Sequence, residues 1–105
     1  MKEQLAVLDE SQDPFGFDIF LSTELFEETM SSLAGLYFQL WFKEQKKPVE
    51  LQDTHLMDLY LKRHHEIHSL KNCFPISAMA ERNLAQDIYS QELREVRLLW
   101  EDLIG

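Results

Sequence analysis

STELFEETMSSLAGLYFQLWFKEQK, residues 22–46, is the stretch whose reading decides the fold. Phe26, Met30, Leu33, Tyr37, Leu40 and Trp41 recur at spacings of one, three and four. That is the 3.6-residue period of an amphipathic helix, with Leu25 and Leu36 widening the stripe. Ser22 or Thr23 can cap its start by accepting hydrogen bonds from the orphan amides of the first turn. Glu24, Glu27 and Glu28 then sit near the positive end of the helix dipole, and Lys43, Lys46 and Lys47 near the negative end. Pro48 ends the run. The spacing predicts one long helix over about 22–46, with Asp18 as its earliest start.

This helix carries more apolar surface than one face can use. Ser31, Gly35, Phe38 and Phe42 follow one another at +4, +3 and +4, roughly opposite the main stripe. A glycine inside a helix costs about 1 kcal/mol relative to alanine, so Gly35 calls for a packing reason. Small residues let a second backbone come close, and two phenylalanines could anchor it. Two arrangements fit. The helix could be the central one of its own bundle, covered on both sides. Alternatively, Ser31, Gly35, Phe38 and Phe42 form a partner-binding surface, in a homodimer or with another protein, since large exposed apolar patches mark interaction sites.

Outward from this helix the same period recurs twice. A second helix is expected over about 53–71, capped by Asp53 or Thr54, with Leu56, Tyr60 and Ile67 as its stripe and Met57, Leu59 and Leu70 beside them. Phe74-Pro75 ends it, because a residue before proline is pushed out of helical geometry. A third is expected over about 77–103, with Ser77 as cap and a stripe of Ala85, Tyr89, Val96, Trp100 and Leu103, broadened by Ile88, Leu93 and Leu99. Residues 1–17 read as an irregular lead-in: Leu5-Ala6-Val7-Leu8 is too short to classify, and Ser11 to Gly16 has turn chemistry. No segment alternates at period two. The expected fold is all-α: a single domain over 1–105, an antiparallel bundle of three long helices, with room for a short fourth element from the lead-in.

The chain of 105 residues carries ten Lys+Arg against nineteen Asp+Glu, a net charge of −9. Residues 1–30 hold one base and eight acids, residues 31–75 six and five, and residues 76–105 three and six. A direct nucleic-acid binder needs a basic footprint, and the short clusters Lys43-Lys46-Lys47 and Lys62-Arg63 do not supply one. An acidic surface favours basic partners and speeds their encounter. No run of about 18 apolar residues occurs, so no membrane span is expected. Residues 1–10 do not read as a secretory signal. The single cysteine, Cys73, suits a reducing compartment, and a cytoplasmic location is expected.

Chemistry-bearing motifs are few. His64-His65-Glu66-Ile67-His68 lies in the second helix, with His55 upstream. His64 and His68 stand at i, i+4 and could hold a metal ion together, but a site needs a third and usually a fourth ligand, for which Glu92 or Glu27 are the candidates. The order of residues is neither HExxH nor the Glu-x-x-His of di-iron bundles. A packed or half-exposed histidine cluster without metal is therefore expected, and no cofactor. Cys73 has no catalytic signature around it, the three glycines form no phosphate loop, and no pair of carboxylates is singled out for acid–base work.

The residues thus point away from an enzyme and toward a small acidic protein–protein interaction module: an adaptor, chaperone or inhibitor of a partner protein that is itself basic, and a homodimer. Two other readings follow from the same features. One is an acidic inhibitor that mimics nucleic acid on a basic protein. The other is a metal-binding bundle built on His64 and His68.

Overall fold

The computed structural model describes residues 17–75 and 78–105. Three α-helices follow one another: α1 (Phe17–Gln45), α2 (Thr54–Leu70) and α3 (Met79–Ile104), with one turn of 3₁₀ helix, Val49–Leu51, between the first two. Among the described residues there is no strand. The fold is the all-α three-helix bundle that the periodicity implies. The lead-in 1–16, with any fourth element, and the Ser77 cap lie outside the described residues.

The expected starts and stops follow from local chemistry. Asp53 caps α2, its carboxylate Oδ1 accepting from the Leu56 amide at 3.0 Å. α1 begins earlier than Ser22, at Phe17, and α3 has Ala78 at its N-cap with no side-chain hydrogen bond. The connection after α1 is fastened by Glu44. Its buried carboxylate accepts from the Asp53 amide at 2.9 Å and meets Lys47 Nζ at 3.0 Å. The hydrogen bond from the Asp53 backbone, with that from Lys47, holds the Glu44 carboxyl below the usual carboxylate range. One acid thus ties the end of α1 to the start of α2. Gln52 adds two bonds from Nε2, to the carbonyls of Gln45 and Lys47.

α1 is the centre of the bundle. It runs antiparallel to α2, as the pairs Ala34–His64 and Ser31–Lys71 show, and alongside α3, as Ser22–Asn83 and Tyr37–Glu92 show. The buried core is Phe26, Met30, Leu33, Ala34 and Leu40 from α1, Tyr60 and Ile67 from α2, and Ala85 and Val96 from α3. Fully burying such side chains stabilises the fold by about 1.5–3 kcal/mol each. Phe74, in the second connection, stacks edge-on against Phe26 at 5.4 Å. Beside it Arg82 is only 2% exposed, and donates from Nη1 to the Pro75 carbonyl and from Nε to Ser22 Oγ.

α2 and α3 both lie along α1, but no Cα of one comes within 8 Å of the other. Side chains bridge the gap. Leu59, Ile88, Leu99 and Leu103, read from sequence as part of the apolar stripes, remain exposed, and Leu99 and Leu103 line an open cleft with Leu40, Leu56 and Tyr60. Leu25 is exposed too and does not widen the α1 stripe.

Candidate interaction face

Ser31, Gly35, Phe38 and Phe42 stand on a side of α1 that borders α2, where Ser31 meets Lys71 and Phe38 meets His64, but that neither neighbour covers fully. Phe38 is 43% exposed and Phe42 44%, and Ser31 is exposed. Each ring is nevertheless held. Phe38 lies between Trp41, at 5.4 Å between centroids, and His64, at 5.3 Å. Phe42 contacts Trp41 at 6.5 Å and carries Lys46 Nζ 4.7 Å above its face. The result is an aromatic ledge in which each ring already has neighbours within the chain and still presents surface to solvent. Ser31 Oγ accepts from Lys71 Nζ at 3.3 Å.

Gly35 has no packing reason within the described chain. A Cβ built on it would meet nothing within 4 Å. Its cost to the helix, about 1 kcal/mol, is therefore not repaid by a close neighbour inside the bundle. Toward the start of α1 the same side carries exposed Phe20, Leu21 and Leu25 among Glu24, Glu27 and Glu28. None of these three carboxylates makes an ion pair among the described residues.

The histidines border this ledge. His64 Nδ1 lies 2.8 Å from the Ala34 carbonyl oxygen, which can only accept, so Nδ1 carries the proton. The His64 ring is 5.2 Å from that of His65 and 6.0 Å from that of His68, the latter pair stacked. Among the described residues no group of three His, Cys, Asp or Glu stands close enough to hold a metal ion. Glu92, a candidate third ligand from sequence, is engaged elsewhere.

That engagement is the feature the sequence did not disclose. Arg63 of α2 forks onto Glu92 of α3, Nη2 to Oε1 at 2.6 Å and Nε to Oε2 at 2.9 Å, and Tyr37 of α1 donates to Oε2 at 2.6 Å. Burial alone would raise the Glu92 carboxyl, but hydrogen bonds from Arg63 and Tyr37 outweigh it and hold it below the usual range. Burial, and then Glu92, push the Tyr37 phenol up. One carboxylate therefore joins all three helices at the level where α2 and α3 stand apart. Its nearness to the apolar arc was visible in the sequence, but its cation, 29 residues earlier, was not.

Cys73 is exposed, its Sγ 3.5 Å from the Ser69 carbonyl at the end of α2, and no histidine pairs with it. Among the described residues no helix is long and apolar enough to cross a membrane. Comparison with protein-family models, curated proteins and solved structures gives no match, so any function must be read from these residues and their geometry.

Proposed function

We propose that the chain is a small acidic protein–protein interaction module without catalytic activity, acting in the cytoplasm as an adaptor, chaperone or inhibitor. Its binding surface is the outward face of α1: Ser31, Gly35, Phe38 and Phe42. The observation that carries this reading is the pair of phenylalanines, each more than two-fifths exposed although the same helix supplies most of the core. Exposed aromatic side chains beside a glycine with open space suit a helix of another molecule laid across them. The net charge of −9 favours a partner with basic flanks.

The test is native mass spectrometry of untagged protein purified gently from its own host, beside the double variant Phe38→Asp with Phe42→Asp. The wild type should be recovered as a dimer or a defined complex, and the variant as a monomer with unchanged far-ultraviolet circular dichroism. A variant that unfolds would show that the face is structural core. A monomeric wild type with no bound protein would remove the reading altogether.

A further inference from the structure

The outward face of α1 has an electrostatic direction. Glu24 stands eleven residues before Gly35 and Lys46 eleven residues after it, both on the outward side. Two copies of α1 laid parallel would set Glu24 against Glu24 and Lys46 against Lys46. Two copies laid antiparallel, crossing at Gly35, set Glu24 of each against Lys46 of the other. The same register sets Phe38 of each copy level with the small Ser32 of the other, one residue from Ser31. Gly35, with nothing within 4 Å of a Cβ position, is then the point of closest approach.

An antiparallel two-fold through Gly35 has a consequence for α2. It leaves the α2 helices of both copies on the same side of the α1 pair. His64 is level with this crossing, because its Nδ1–H is bonded to Ala34, the residue next to Gly35. His68 lies one turn along the same side of α2. A single chain offers His64 and His68 along one side of α2, with His65 exposed beside His64, and no group of three ligands able to hold a metal ion among the described residues. Two copies offer two such His64 and His68 pairs.

The imidazoles are prepared for that use. The bond to the Ala34 carbonyl fixes the His64 tautomer and leaves Nε2 as the nitrogen with the lone pair, the arrangement metal-bound histidines commonly take. His68 is exposed and makes no hydrogen bond among the described residues. The ring centroids of His64 and His68 are 6.0 Å apart. Two imidazoles on one tetrahedral zinc ion stand about 5 Å apart, so this pair would close by about 1 Å. Four nitrogen donors of this kind suit zinc.

We propose that two copies of this chain pair antiparallel across Gly35 and share a zinc ion between their His64 and His68 side chains. The proposal rests on the reading of the α1 face as an interface and names its occupant. Sedimentation velocity at neutral pH tests it on the wild type, His68→Ala and Phe38→Asp, in EDTA, in Zn²⁺ and in Mg²⁺ as control, with zinc content measured on the dimer peak. The expected result is at least a tenfold tighter association in Zn²⁺ than in EDTA, with one zinc per dimer. His68→Ala should lose the zinc response. Phe38→Asp should stay monomeric in every buffer. A dimer that carries no zinc and ignores EDTA overturns the shared site and leaves the α1 interface standing. A zinc-dependent dimer unaffected by Phe38→Asp overturns the interface instead. A monomer in all conditions overturns both.

Discussion

Leu33 and Phe42 stand on opposite sides of α1, nine residues apart, and their surroundings differ completely. Leu33 is fully buried between α2 and α3, whereas Phe42 faces outward under the ammonium of Lys46. Both are large and apolar, so hydropathy does not separate them. Position around the helix does. Three helices can cover only the arc of α1 that faces the two neighbours. The opposite arc still carries Phe38 and Phe42, where a helix that served its own core alone would carry polar residues. One side of α1 is thus explained by folding, and the other is the face proposed above for a second molecule.

The largest effects should come from the folding side. Leu33→Ala and Ile67→Ala each remove a side chain with no exposed surface. Each should cost about 2–5 kcal/mol, measured by urea denaturation. A loss well under 1 kcal/mol for Leu33→Ala would mean that the two sides of α1 are not so different, and that the core of the lone chain is loosely packed.

The next effect concerns the gap between α2 and α3. Glu92→Gln removes the charge that Arg63 grips and weakens the bond from Tyr37. The pair is partly exposed, so the expected loss is modest, about 1–2 kcal/mol. Its pH dependence has a definite sign. The folded Glu92 and Glu44 carboxyls lie below their ordinary range, so their contribution is fully present above the unfolded pKa of about 4. It is lost as the pH falls through the folded values. Thermal melts should show a stability that declines below about pH 4, and a shallower decline for Glu92→Gln and for Glu44→Gln. Parallel acid profiles for wild type and both variants would contradict the assigned contacts.

Much of this contrast was legible in the sequence, for a physical reason. Periodicity records which residues share a side of a helix, so three helices and the second seam of α1 followed from spacing, while the cap of α2 narrows to Asp53 or Thr54 and only the structure picks Asp53. It does not record where neighbouring helices sit. Leu59, Ile88, Leu99 and Leu103 have the right spacing for core but are exposed, Leu99 and Leu103 in the open cleft that α1, α2 and α3 share. Contacts between distant residues were equally hidden. Glu92 was noticed as a histidine ligand candidate, and only the packed structure shows that Arg63 and Tyr37 occupy it. The same holds for Arg82, which the sequence reading did not single out and whose partners Pro75 and Ser22 appear only in the packed structure.

The smallest change tests the comparison most sharply, because it should act in opposite directions on the two sides of α1. Gly35→Ala adds one methyl group in open space, so nothing in the described chain resists it. Alanine also limits the unfolded chain and suits a helix interior, so the lone protein should gain about 1 kcal/mol. For a domain of this size that is a rise in melting temperature of about 4–8 °C. In the proposed pair the same methyl would stand where the two backbones come closest, and it should push them apart and weaken self-association. Melts run below the association range, beside sedimentation of the same samples above it, separate the two effects. A higher melting temperature with weaker association places Gly35 at the crossing. A higher melting temperature with association unchanged means that any second molecule on this side of α1 touches Phe38 and Phe42 and passes clear of Gly35.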